Sequence, residues 1–160
     1  MQPFAAPISD IQKALQAEGL DAWLFYDFRG INTLASRVLR LDPSTPRTRR
    51  WFYLIPAEGH PQRLVHAIEP HALDTLPGER HVYGTHNALA AGLKDLLKGH
   101  KKIAMEYAPK GTVPYVSRVD AGTIELVKSS NHVQVVSSGD LIQSFEATLT
   151  PSQLKSHWRS

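Results

Sequence analysis

The chain has 160 residues, of which 42% are hydrophobic, 8% aromatic and 21% charged. That is the composition of one folded globular domain and excludes wholesale disorder. It contains no cysteine, which excludes disulfide scaffolds, thiol catalysis and cysteine–zinc sites. Net charge is +3, but residues 37–50, with five arginines against Asp42, carry +4 and leave the remainder at −1. A basic face spread over a nucleic-acid-binding domain has a different signature. The apolar runs fall short of the roughly 20 residues that span a bilayer, and Met1–Pro7 lacks the basic and apolar regions of a signal peptide. A cytoplasmic chain without a membrane partner is the expectation.

The elements follow in chain order. Ser9-Asp-Ile-Gln12 reads as a capping box opening a helix, with Ile11, Ala14 and Leu15 at helical spacing and Gly19 as its stop. Ala22–Tyr26 is a continuous apolar run, the pattern of a strand covered on both faces. Asp27–Thr33 is a turn that opens a short helix. Residues 42–50 carry two prolines and no apolar period, and read as a mobile loop. Trp51–Ile55 is a second buried strand, 56–61 a hairpin connection, and Gln62–Ala67 its antiparallel return. Arg80–Tyr83 is a short strand. Thr85 caps a helix with Leu89, Leu93, Leu96 and Leu97 on one face, closed by Gly99. Ile103–Tyr107 is a further central strand, Asp120–Ser129 a helix, Val133–Val136 a strand, and 137–140 the cap of a helix bearing Leu141, Ile142 and Phe145. Strands alternating with helices, plus one hairpin, imply an α/β fold: a mixed sheet with helices on both faces. Trp23, Phe25, Phe52, Leu54 and Met105 are core by pattern.

Thr150-Pro-Ser-Gln153 is a strong helix start, with Leu154 and Trp158 on one stripe. The sequence ends at Ser160, short of the roughly 12–15 residues an isolated helix needs in water. This reads as the opening of a longer helix, so residues 1–148 form the domain and 149–160 the start of a connection to a missing one.

Three stretches carry a family resemblance: Ile103-Ala-Met-Glu-Tyr-Ala-Pro109, Val113-Pro-Tyr-Val-Ser-Arg-Val-Asp-Ala-Gly122, and Val135-Val-Ser-Ser-Gly-Asp-Leu-Ile-Gln143 followed by Phe145-Glu-Ala. Together with Thr150-Pro-Ser-Gln-Leu154, they resemble the N-terminal domain of the prolidase, aminopeptidase P and creatinase family of metallopeptidases, and within it the bacterial Xaa-Pro dipeptidases. The resemblance implies a three-layer α/β/α domain with a ribonuclease-H-like sheet. It implies a homodimeric parent enzyme that cleaves dipeptides with a C-terminal proline. It also implies a separate catalytic domain in which two Asp, one His and two Glu hold two divalent ions, manganese or zinc, that activate water. None of those ligand motifs can be placed in this chain, which is therefore expected to have no catalytic residues and no metal of its own.

Other chemistry is thinly represented. The eight histidines form no H-x-H or H-E-x-x-H pattern, and His66 and His71 flank Glu69 across a proline. There is no glycine-rich dinucleotide or phosphate loop, and Lys110-Gly-Thr112 reads as a turn. Asp27 and Glu106 follow strands, and with Asp120 or Asp140 could gather magnesium in a ribonuclease-H-like nuclease. That reading is one alternative. The other is a stand-alone interaction module of the same fold.

The arginine-rich stretch is the feature with most chemical content. A guanidinium pairs with carboxylates through two parallel hydrogen bonds. In dimeric relatives the N-terminal domain of one subunit reaches toward the other's active site. The resemblance therefore makes Arg37, Arg40, Arg47, Arg49 and Arg50, with Asn32 beside them, candidates for contacting substrate or a partner. The same arginines with Trp51 and Tyr53 could instead contact nucleic acid, or could serve a subunit interface. The main reading is the non-catalytic N-terminal domain of a Xaa-Pro dipeptidase, supplying dimer contacts and gating the substrate entrance.

Overall fold

The computed structural model describes residues 5–146. The helix start at Thr150 and the boundary at residue 148 lie outside the described residues. Eleven α-helices and β-strands follow in order among these residues: α1 (Ile8–Glu18), β1 (Ala22–Asp27), α2 (Thr33–Val38), β2 (Trp51–Pro56), β3 (Gln62–His66), β4 (Glu79–Tyr83), α3 (His86–Leu96), β5 (Lys102–Met105), α4 (Ala121–Asn131), β6 (Gln134–Ser137) and α5 (Gly139–Glu146). The strands form one six-stranded sheet in the order β4-β3-β2-β1-β5-β6. β2 runs antiparallel to both neighbours, and the other adjacent pairs are parallel.

This is the expected mixed three-layer architecture. β1 and β2 are buried along their whole length, because alternate side chains serve two separate cores. Trp23, Phe25, Trp51, Tyr53 and Ile55 pack with α1, α2 and α5 on one face. Leu24, Phe52, Leu54 and Met105 pack with α3 and α4 on the other. The five residues assigned to the core from sequence are fully buried.

The capping box at Ser9 is not formed. α1 begins at Ile8 behind Pro7, with no side-chain cap. The Gln12 side chain instead donates to the carbonyls of Pro56 and Gly59, at 3.0 and 2.8 Å, and Gln16 donates to that of Ala57 at 2.7 Å. Two glutamines on one face of α1 thus satisfy the β2–β3 turn. Gly19 ends the helix in the left-handed conformation, φ 69°, as a C-terminal glycine does.

Candidate functional site

All strands except β2 point the same way, so the carboxyl ends of β1, β3, β4 and β5 share one edge of the sheet with the amino end of β2. In open α/β sheets that edge is where ligands bind. Two polar regions occupy it.

The first is closed. Glu106 follows β5 and is completely buried. Its carboxylate accepts from Trp23 Nε1 and Asn32 Nδ2 at 2.8 Å each and from Ser138 Oγ at 2.9 Å. Burial pushes the Glu106 carboxyl above the usual glutamate range, against the pull of those three donors. Asn32 also donates to the Tyr26 carbonyl, and its Oδ1 accepts from Ala35 N, capping α2. Asp27 accepts from the backbone N–H groups of Gly30 and Asn32 at 2.9 and 2.7 Å. Four elements are tied together here, and both carboxylates are engaged by structural donors. That occupancy weighs against the nuclease reading, and Asp120 is likewise engaged in capping α4 through Thr123.

The second region is open. A cleft of about 200 Å³ is lined by Phe28, Arg49, Arg50, His66, Tyr83 and the turn from Gly84 to His86. Phe28 follows β1, Arg50 precedes β2, His66 ends β3, Tyr83 ends β4, and Thr85 caps α3 by accepting from Ala88 N. Tyr83 Oη donates to the Arg50 carbonyl at 2.6 Å, and burial holds its phenol above the ordinary value. His66 Nδ1 accepts from Ile68 N at 2.9 Å, which leaves the proton of the neutral ring on Nε2. No carboxylate lines the cleft. The N-terminal end of an 11-residue helix faces it, adding positive potential.

The arginines separate into groups. Arg49 and Arg50 line the cleft. Arg47 is half-buried and anchors its own loop, donating to the Ala72 carbonyl at 2.8 Å and to those of Asp42 and Thr45. Arg40 has left-handed backbone and donates to the Ala5 carbonyl at 2.7 Å. Arg37 lies exposed in the last turn of α2. Asn32 is 1% exposed and belongs to the Glu106 network.

Residues 42–50 are irregular, as expected, but tethered. The Glu69 carboxylate accepts from Thr48 N, Thr48 Oγ1 and Arg49 N at 2.7–3.0 Å. Burial would raise the Glu69 carboxyl, and these donors outweigh it and hold it below its ordinary value.

Trp51 and Tyr53 are buried and offer no stacking face to a nucleic acid. His71 Nδ1 pairs with Asp74 at 2.7 Å, so His66 and His71 serve different partners. Sequence reasoning missed Phe28, Tyr83 and His86 as neighbours of the arginines. Their only signal is that each stands at or just past the end of a strand.

No protein-family model and no curated protein matches the sequence. Solved structures do match the fold. A proline dipeptidase structure from Streptococcus pneumoniae aligns with TM-score 0.68 at 19% identity, covering 90% of this chain and 99% of that one. The creatinase/prolidase N-terminal domain of an X-Pro dipeptidase from Streptococcus pyogenes aligns with TM-score 0.64 at 16% identity, covering 87% and 98%. The prolidase from Pyrococcus horikoshii aligns with TM-score 0.61 at 15% identity over 92% of this chain, which spans 37% of that enzyme. The fold is that of creatinase/prolidase N-terminal domains.

Proposed function

We propose that this chain is the non-catalytic N-terminal domain of a Xaa-Pro dipeptidase, contributing dimer contacts and gating the substrate entrance. One observation carries the reading: the chain accounts for 98–99% of the Streptococcus pyogenes and Streptococcus pneumoniae structures but 37% of the Pyrococcus horikoshii prolidase. A unit of that proportion is one lobe of a larger enzyme. The partners are then the enzyme's own catalytic domain and a second subunit, the substrate is a dipeptide ending in proline, and the compartment is the cytoplasm. No helix among the described residues is long and apolar enough to cross a membrane. Exposed Phe28, Ile31 and Val113 near the carboxyl edge of the sheet support a surface that another lobe covers.

The two divalent ions, manganese or zinc, belong to the catalytic domain on this reading. Among the described residues no three His, Asp or Glu side chains gather, so a metal pair does not fit here and no catalytic step is assigned to this chain. The test is the intact mass of the protein from its own cells, with glycyl-proline hydrolysis assayed in the presence of manganese. A species well above 17.8 kDa that cleaves the dipeptide is expected. A species of that mass without activity overturns the reading and leaves the stand-alone module.

A further inference from the structure

The cleft at the start of β2 gathers cationic and N–H-donating groups without a carboxylate among its lining residues. We propose that it binds a small oxyanion, a phosphate or carboxylate group, between Arg49, Arg50 and the first turn of α3, with the rest of the ligand against Phe28 and Tyr83. The inference is independent of the dipeptidase reading, since it needs no second domain.

Four observations carry it. Neither guanidinium is ion-paired among the described residues, whereas Arg63 pairs with Asp74 at 3.1 Å. The nearby Glu69 carboxylate accepts from Thr48 and the Arg49 N–H; it feels the Arg49 charge but forms no salt bridge with it among the described residues. The backbone hydrogen bond to His66 Nδ1 leaves Nε2–H as a donor. The α3 cap satisfies Ala88 N and Leu89 N through Thr85, and the N–H of His86 is among the helix-start donors that no intrahelical carbonyl meets. A planar guanidinium pair beside a helix N-terminus suits a flat or tetrahedral oxyanion. The volume of about 200 Å³ falls below the range of roughly 300–1,000 Å³ typical of drug-sized ligands. Phe28, 39% exposed, supplies an apolar rim.

Calorimetric titration of the full chain at low ionic strength, with inorganic phosphate and separately with acetate, tests this. At least one should bind saturably with Kd in the millimolar range. Arg49→Gln and Arg50→Gln should each weaken that binding about tenfold or more. Lys98→Ala, at the far end of α3, should leave it unchanged. Circular dichroism checks each variant's fold, and Arg49→Gln, on an exposed residue, carries the test if Arg50→Gln unfolds. Phosphate binding alone identifies a phosphoryl ligand, acetate alone a carboxylic acid, and both a general oxyanion site. No saturable binding of either ion, or equal weakening by Lys98→Ala, overturns the proposal. Neither result bears on the dipeptidase reading, which is judged by mass and hydrolysis.

Discussion

At the carboxyl ends of β1 and β5, polar side chains are buried and bonded to one another. Along the same edge, at the ends of β3 and β4, they line an open cleft. In the closed region, Glu106, Asn32 and Ser138 are buried and their polar atoms are paired. In the open region, Arg49 and Arg50 form no salt bridge among the described residues. The difference separates two uses of polar residues. Buried and fully paired, they fix the relative positions of β1, α2, β5 and α5. Left accessible with one sign of charge, the two guanidinium groups concentrate potential for a ligand.

Substitutions should divide along that line. The largest effect is expected from Glu106→Ala, which leaves the buried Trp23 and Asn32 donors without their acceptor. It should destabilise the fold by about 3 kcal/mol or more in denaturant unfolding. Asn32→Ala removes the α2 cap and one donor to Glu106, and should cost about 2 kcal/mol.

Stability should also depend on pH through the same carboxyl. Burial raises the Glu106 carboxyl above 4.5, so the folded state holds this proton more tightly than the unfolded chain. That contribution is complete below the unfolded value and is lost as pH rises through the folded one. Wild type should therefore lose stability relative to Glu106→Gln as pH climbs above 4.5. A difference that stays constant with pH would show the carboxyl titrating alike in both states. The smallest effect belongs to the cleft: Arg49→Ala and His86→Ala should change unfolding free energy by no more than about 0.5 kcal/mol. A large loss from either would dissolve the contrast, because the open residues would then be structural too.

The fold was legible in the sequence because its signals are local. The apolar runs at Ala22–Tyr26 and Trp51–Ile55, the cap at Thr85 and the helical stretch from Asp120 each lie within a few residues, and they reappear as β1, β2, the start of α3 and α4. The Ser9 capping box failed because Gln12 has a better partner in the turn after β2, 44 residues away. The Glu106 network was illegible for the same reason: its donors lie 83, 74 and 32 residues away. The arginine-rich stretch stood out by charge, but composition does not sort its members. Only the strand order places Arg49 and Arg50 beside the ends of β3 and β4, while Arg47 turns back to hold its own loop.

The contrast between the two regions is tested most directly by titrating the full chain with whichever of phosphate and acetate it binds, followed through its backbone amide NMR signals. Shifts are expected at Phe28, Arg49, Arg50, His66 and residues 84–86, with Asn32, Glu106 and Ser138 unmoved. Shifts centred on the Glu106 network, or spread evenly over the surface lysines and arginines, would contradict it.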